Sequence, residues 1–270
     1  MCIRDSNIAL AGTGVGKSLF MCHLASSYLL QGLNVLYITL EMAEERIAER
    51  IDANLLDVTM EDLHDMPQQL YEGKITKLRE KTQGQLVIKE YPTASAHSGH
   101  FKSLMNELAL KKSFRPDVIF IDYLNICASS RFKGGNISSY FYVKAIAEEL
   151  RGLAVEFNVP IFSATQTTRT GYVSTDIGLE DTSESFGLPA TADFMFALIS
   201  NEELEALGQM KVKQLKNRYN DPSINRAFII GVDRAKMRLY DVQQKAGDIV
   251  DANQVDEKED AYNKFSDFKL

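Results

Sequence analysis

The stretch that decides the fold is Asn7-Ile8-Ala9-Leu10-Ala11-Gly12-Thr13-Gly14-Val15-Gly16-Lys17-Ser18, an apolar segment that runs into a glycine-rich turn. Its glycines, Gly12, Gly14 and Gly16, let the backbone curl so that successive N–H groups point towards one anion. A helix that starts near Lys17 aims the positive end of its dipole at the same place. The stretch therefore predicts a phosphate-binding loop, in which Lys17 reaches the β- and γ-phosphates and the Ser18 hydroxyl binds Mg²⁺.

The loop departs from the usual pattern at its first position, where Ala11 replaces a glycine. The alanine is tolerable if it ends the preceding strand with a negative φ. Glycine, lysine and serine also occur together by chance in surface turns, which is the alternative explanation. The context favours the phosphate loop, because an apolar run precedes it and an amphipathic helix with Leu19, Cys22 and Leu29 follows it.

Composition places the chain among ordinary globular proteins, since its 270 residues are 45% hydrophobic and 25% charged. No stretch approaches the roughly 20 apolar residues of a membrane span, and the N-terminus lacks the apolar core of a secretion signal. The three cysteines are odd in number and have no metal-ligand spacing, which is typical of reduced thiols in a cytosolic protein. His97 and His100 have no nearby cysteine to complete a zinc set, so we expect surface histidines.

Charge is unevenly placed along the chain. The net charge of −7 argues against a protein that coats nucleic acid with its whole surface. Residues 41–65 include nine acidic and two basic side chains, whereas residues 211–238 include eight basic and two acidic ones. Such faces suit head-to-tail association of copies, and two solvated faces are the alternative. Residues 248–270 are acidic and show no hydrophobic periodicity, so we expect a disordered tail.

Hydrophobic periodicity predicts strands alternating with helices. Strands are predicted at 35–40, 86–89, 118–122, 160–165 and 194–199, of which 35–40 and 118–122 are expected to be buried. Helices are predicted at 17–31, 60–64, 68–81, 101–112 and 140–157, an acidic helix from Ala43, and late strands at 210–215, 227–232 and 239–240. This order predicts an α/β fold, a mostly parallel twisted sheet with helices on both faces and antiparallel strands at its C-terminal end. We expect a truncated or artificial N-terminus at 1–6 and one domain at 7–247.

Carboxylates follow two of the predicted strands. Asp122 ends a buried strand, where a fold with a phosphate loop places the carboxylate that supports a Ser18-bound Mg²⁺. An apolar run ending in Asp is common by itself, so this assignment depends on the upstream loop. Because Tyr123 follows instead of a glutamate, the base that orients the attacking water must come from elsewhere. Glu41 is the candidate, and the alternative is that it only caps the helix beginning at Ala43.

Two further strand ends carry polar side chains. Gln166 follows the strand at 160–165, where a neutral amide could sense the γ-phosphate, although an ordinary surface glutamine is the alternative. Lys216 and Arg218 lie at the end of the strand at 210–215. The fixed planar charge of arginine suits stabilisation of a transition state on phosphate, often across a subunit boundary.

In this order, the motifs resemble the RecA-like, P-loop NTPase motor domain of DnaB-type replicative helicases, most closely that of the hexameric T-even phage members. The resemblance covers about residues 7–241, and alanine in the first loop position is usual in this family. The family's motifs match Leu40-Glu41-Met42 with the catalytic glutamate, Ile121-Asp122-Tyr123-Leu124, the sensor Thr165-Gln166 and the finger Lys216-Asn217-Arg218.

The resemblance implies hydrolysis of ATP or another NTP with Mg²⁺ at subunit interfaces of a hexameric ring, coupled to translocation on single-stranded DNA and duplex unwinding. It also implies self-assembly, partners such as primase, a helicase loader or other replisome proteins, and the cytoplasm of a bacterium or phage-infected host. The candidate DNA contacts are Arg131, Lys133, Arg169 and, at the position of the family's Arg-Glu-Ser, Ser183, Glu184 and Ser185. An ordinary solvated loop is the alternative for the segment at 131–136.

Two other functions compete with this interpretation. A recombinase shares the fold but assembles filaments, and the Lys216-Asn217-Arg218 finger and Leu40-Glu41-Met42 favour the helicase. A nucleotide-gated loader or scaffold would bind ATP without hydrolysing it, and the presence of Glu41 and Gln166 weighs against it.

Overall fold

The computed structural model of the chain describes residues 4–132, 137–168, 177–182, 187–221 and 224–242. The strands are β1 (Ser6–Ala11), β2 (Val35–Thr39), β3 (Leu86–Glu90), β4 (Val118–Asp122), β5 (Ile161–Gln166), β6 (Phe194–Ile199), β7 (Gln209–Asn217), β8 (Ala227–Asp233) and β9 (Arg238–Asp241). The helices are α1 (Lys17–Leu30), α2 (Glu44–Leu56), α3 (Met60–His64), α4 (Gln68–Lys81), α5 (Ser98–Lys112), α6 (Ser139–Phe157), α7 (Gly187–Thr191) and α8 (Glu202–Ala206).

The nine described strands form one sheet in the order β3-β2-β4-β5-β1-β6-β7-β8-β9. The first six strands of this order are parallel, and β7, β8 and β9 continue the sheet in antiparallel orientation beyond β6. The carboxyl ends of β1, β2, β4 and β5 therefore meet at one edge of the sheet, which is where parallel α/β sheets bind ligands. The predicted mostly parallel sheet with late antiparallel strands is confirmed.

Helices cover both faces of the sheet. Side chains of a strand alternate between the two faces, so each buried strand contributes to the packing on both. On one face Ile38 and Ile121 pack against residues of α5 and α6 such as Phe101 and Ile146. On the other face Tyr37 and Phe120 pack with α1 and α2. The central strands β1, β2, β4, β5 and β6 are buried along all or nearly all of their length, which explains their apolar runs.

Helix boundaries follow from local chemistry. Helix α1 ends before Gly32, which has a φ of +82°, as the glycine at that position predicts. Helix α5 begins at Ser98 instead of the predicted 101, because the His97 side chain accepts a hydrogen bond from the Gly99 N–H at 3.0 Å. His100 accepts from the His97 N–H in return, so the two histidines cap a helix.

The described residues extend slightly beyond the predicted start of the domain. Strand β1 starts at Ser6, one residue before the predicted domain start, and Asp5 is already buried. The predicted disordered tail at 248–270 lies outside the described residues. Within the described ranges, no helix is both long and apolar enough to cross a bilayer.

Candidate nucleotide-binding site

The glycine-rich turn joins the carboxyl end of β1 to the first residue of α1, Lys17. Gly14 and Gly16 have φ values of +79° and +123°, which only glycine adopts at low cost. Ala11 is the last residue of β1 and is paired with Gln166 of β5, so the alanine ends the strand, which is the position where it is tolerable. The turn therefore has the strand, loop and helix context of a phosphate-binding loop.

The Lys17 side chain lies within this turn and is only 9% exposed. Its Nζ donates to the carbonyl oxygens of Gly12 at 3.0 Å and Ala11 at 3.4 Å. Burial lowers the pKa of Lys17, and the carboxylates of Glu41 and Asp122 partly oppose this shift. A largely desolvated ammonium next to a helix N-terminus is suited to bind an anion such as a phosphate.

Asp122 ends β4 and is fully buried. The Tyr37 hydroxyl donates to its Oδ2 at 3.0 Å, whereas Oδ1 has no hydrogen-bond partner among the described residues. Burial raises the pKa of Asp122, and hydrogen bonds from the Ser18 and Tyr37 side chains act in the opposite direction. A buried carboxylate oxygen without a partner is costly unless a ligand uses it.

The chemistry of these groups fits Mg²⁺, which takes oxygen ligands, keeps several waters and shares its coordination with substrate phosphates. The Ser18 hydroxyl and the unpartnered Asp122 Oδ1 would supply the protein oxygens. In the described part of the chain, no three His, Cys, Asp or Glu side chains are grouped so that they could hold a metal by themselves. An ion at this position would therefore depend on a bound nucleotide.

Glu41 follows β2 on a turn that its neighbours hold in place. The Thr39 hydroxyl donates to the Met42 carbonyl at 2.8 Å and accepts from the Met42 N–H at 3.1 Å. The N-cap residue of α2 is Ala43, whose side chain makes no cap hydrogen bond, and the first N–H of the helix, that of Glu44, donates to Glu90 Oε2 at 3.2 Å. The alternative role of Glu41 as a cap is therefore not supported. Partial burial and the charge of Asp122 raise the pKa of Glu41, whereas Lys17 and Arg50 lower it.

One cavity of about 310 Å³ brings most of the predicted groups together. It is lined by Thr13, Gly14, Gly16, Lys17, Ser18, Leu19, Glu41, Arg50, Gln166, Arg234 and Met237. Asp122 is close by, since its charge acts on both Lys17 and Glu41. Gln166 ends β5, and its Nε2 donates to the Tyr123 hydroxyl at 3.1 Å. The predicted phosphate loop, carboxylates and amide thus occupy a single site.

The sequence did not single out three residues of this cavity, Arg50, Arg234 and Met237. Arg50 lies on α2, where it is one of two basic residues in an acidic stretch, and this isolated positive charge is a signal that could have identified it. Arg234 and Met237 lie in the turn between β8 and β9, and Arg234 donates to the Val15 carbonyl at 3.5 Å. No local pattern indicates this contact across 219 positions of the chain.

Lys216 and Arg218 lie elsewhere. Asn217, between them, is paired with Phe194 at the amino end of β6, so both lie at the sheet edge opposite the phosphate loop. Lys216 Nζ donates to the carbonyls of Pro189 at 2.5 Å and Ala192 at 2.7 Å. Burial and the nearby guanidinium of Arg218 lower the pKa of Lys216. Within one copy of the chain this pair does not belong to the cavity.

Of the predicted DNA contacts, the structure describes only Arg131, an exposed residue whose guanidinium forms an ion pair with Glu148. The other predicted contacts lie outside the described residues, namely Lys133, Arg169, Ser183, Glu184 and Ser185.

The sheet order, the glycine-rich turn and the carboxylates at the carboxyl ends of β2 and β4 define a P-loop NTPase domain of the RecA-like class. A model of the DnaB-like helicase C terminal domain matches residues 4–236, and the chain belongs to this family. Over 266 residues it is 45% identical to a DnaB-like replicative helicase of Enterobacteria phage T4. This match covers 96% of this chain and 56% of that protein.

Other relatives agree with this family. A probable plasmid replicative DNA helicase of Chlamydia trachomatis is 32% identical over 168 residues, covering 60% of this chain and 35% of that protein. The chain thus spans about half or less of the length of these curated relatives.

Two solved structures share the fold at 17% identity, each covering 90% of this chain. One is a DnaB-like replicative helicase described with its interactions with primase, with a TM-score of 0.73 and 58% of that chain covered. The other is the ATPase domain of a second protein, with a TM-score of 0.74 and 86% of that chain covered. The RecA-like fold implied by the resemblance is confirmed.

Proposed function

We propose that the chain is the ATP-hydrolysing motor of a replicative DNA helicase, which couples turnover of ATP or another NTP to movement along single-stranded DNA and to separation of the duplex. The observation that carries this proposal is the single cavity shared by Lys17, Ser18, Glu41 and Gln166, next to the unpartnered Oδ1 of Asp122. The names of the related proteins support the replicative role.

Each residue has a defined task in this proposal. Backbone N–H groups of the loop and the Lys17 ammonium bind the phosphates, and Ser18 and Asp122 hold the Mg²⁺. When bound, Mg²⁺ neutralises charge that develops on the phosphate oxygens. Glu41 orients the attacking water and accepts its proton, because its carboxylate lies in the same cavity as the phosphate loop.

Lys216 and Arg218 would act on the nucleotide of a neighbouring copy, which requires an assembly in which the two opposite sheet edges face each other. Such head-to-tail contacts close into rings when the rotation between copies permits it. We therefore propose a hexameric ring around single-stranded DNA, with primase, a helicase loader or other replication proteins as partners. The setting would be the cytoplasm of a bacterium or of a phage-infected host.

Phosphate release, measured with and without single-stranded DNA, tests this function. We expect DNA to stimulate hydrolysis, Lys17→Ala to lose most nucleotide binding, and Glu41→Gln to bind ATP without turning it over. ATP binding without any hydrolysis by the assembled chain would favour a scaffold, and filaments instead of rings on DNA would favour a recombinase. An unchanged rate in Glu41→Gln would move the search for the base to Glu44 or Glu45.

A further inference from the structure

Tyr37 and Asp122 come together through the pairing of β2 with β4. In this parallel pair Tyr37 is opposite Phe120 and Thr39 is opposite Asp122, so Tyr37 and Asp122 lie on the same face, two residues apart along the strands. Tyr37 is fully buried, and its hydroxyl donates to Asp122 Oδ2 at 3.0 Å. Neither the motif sequence nor the predicted mechanism assigns a role to this tyrosine.

The Tyr37 ring has little freedom to move. It stacks on Phe120 with ring centroids 5.7 Å apart and 15° between the planes, and Phe120 stacks on Phe162 at 5.4 Å. The Cys22 thiol of α1, the helix that follows the phosphate loop, lies 3.9 Å from the Tyr37 hydroxyl. A side chain packed in this way holds its hydroxyl at one point.

This contact decides which oxygen of Asp122 is available. Because the Tyr37 hydroxyl occupies Oδ2, the carboxylate is fixed in one rotation and presents Oδ1, the atom with no hydrogen-bond partner among the described residues. A buried carboxylate without such a bond could rotate or shift. Mutation of a group that holds a metal ligand in place typically costs about 10- to 100-fold in metal affinity or activity.

We propose that Tyr37 is a positioning residue for the metal site, and that its hydroxyl sets the orientation of Asp122 towards a nucleotide-bound Mg²⁺. The inference rests on the proposed ATP site but concerns a residue that does not line the nucleotide cavity. Its effect is therefore expected in the contribution of Mg²⁺ to nucleotide binding, and not in binding of the nucleotide alone.

The test compares the affinity of the chain for a fluorescent ADP analogue in Mg²⁺ and in EDTA, which needs no turnover. We expect Tyr37→Phe to reduce the Mg²⁺-dependent gain in affinity about tenfold, in the range typical for partners of metal ligands. The affinity in EDTA should stay within twofold. Tyr28→Phe is the matched control, because Tyr28 packs on Phe120 and Phe162 at 6.2 Å, and it should change neither affinity.

A second comparison covers the case in which Tyr37→Phe alone does not fold, since it removes one of the hydrogen bonds to a buried charge. In an Asp122→Asn background the buried carboxylate charge is absent, so Tyr37→Phe removes no hydrogen bond to a charge. Adding Tyr37→Phe there should cause no further loss of the Mg²⁺-dependent gain, because the tyrosine acts only through Asp122. A further loss would overturn the inference.

The outcomes separate this inference from the proposed function. If the unaltered chain binds the ADP analogue no better in Mg²⁺ than in EDTA, the assignment of the metal site is wrong, and so is the role assigned to Tyr37. If the gain is present and survives Tyr37→Phe unchanged, only the positioning role is overturned and the nucleotide site stands.

Discussion

Arg218 and Asp193 form an ion pair of 3.0 Å at the amino end of β6, on the sheet edge opposite the phosphate loop. Asp193 is fully buried and also binds Arg151 at 3.1 Å. Arg218 Nη2 lies 3.2 Å from the Ala190 carbonyl of α7. A guanidinium held at this edge cannot serve the nucleotide cavity of its own copy, which is the geometric basis for the proposal that the site is shared between copies.

A mixing experiment tests the shared site. We expect Arg218→Ala assemblies and Lys17→Ala assemblies each to hydrolyse ATP slowly. In Arg218→Ala the rate of hydrolysis should fall by a factor of roughly 10³ to 10⁵ relative to the unaltered chain. In mixed assemblies roughly a quarter of the interfaces join an intact loop to an intact finger, if the two subunits assort at random. Hydrolysis should therefore return on mixing.

Co-purification through an affinity tag on one variant must confirm that the two variants form joint assemblies. The absence of any recovery in confirmed mixed assemblies would contradict the shared site, as would full hydrolysis by a chain shown to be monomeric under the assay conditions.

The pH dependence of hydrolysis reports the environment of Glu41. A base works only when ionised, and burial and the charge of Asp122 raise the pKa of Glu41 above its ordinary value of 4.5. The rate should therefore fall at a higher pH than for an unperturbed glutamate. Because the Arg50 charge lowers this pKa, Arg50→Gln should move the acidic limb of kcat to still higher pH.

Arg46→Gln is the control for this measurement, since Arg46 lies on the same helix but pairs with the exposed Glu49. An acidic limb that does not move in Arg50→Gln, at saturating nucleotide, would show that Glu41 is not the titrating base.

Gly16 tests the backbone of the phosphate loop. At a φ of +123° an alanine is strained, and its Cβ would lie 3.4 Å from the Met210 side chain. We expect Gly16→Ala to weaken ATP binding strongly, because the loop must change shape to relieve the strain. Gly32 also has a positive φ, +82°, but a Cβ added there, after the end of α1, would meet open space, so Gly32→Ala is the control. It should cost about 1 to 2 kcal/mol of stability and leave ATP affinity unchanged.

Asp193 should contribute measurably to folding stability. Asp193→Asn removes a buried charge that binds two arginines, Arg151 and Arg218. Because these guanidinium groups are about one-third exposed, water compensates part of the loss. We expect the free energy of unfolding in urea to fall by about 2 kcal/mol. Asp57→Asn, which breaks the exposed pairs with Lys236 and Arg238, should have almost no effect.

Local sequence patterns predicted many of the residues of the candidate site. The glycine positions and the apolar runs ending near Glu41, Asp122 and Gln166 predicted groups that the structure places around one cavity. The reason is general: parallel strands bring their carboxyl ends to the same edge, so residues following several such strands converge whatever their separation in sequence. The central strands were predictable because burial on both faces requires continuous apolar runs.

What only the tertiary structure decided was which side chains of distant segments touch. Hydrophobic periodicity shows that a residue is buried, but not which strand lies beside it, because pairing follows from packing of the whole domain. Tyr37 was thus visible as a core residue, while its bond to Asp122, 85 positions away, depends on β2 lying next to β4. Arg234 and Met237 reach the cavity for the same reason, since the last hairpin folds back over the first loop of the chain.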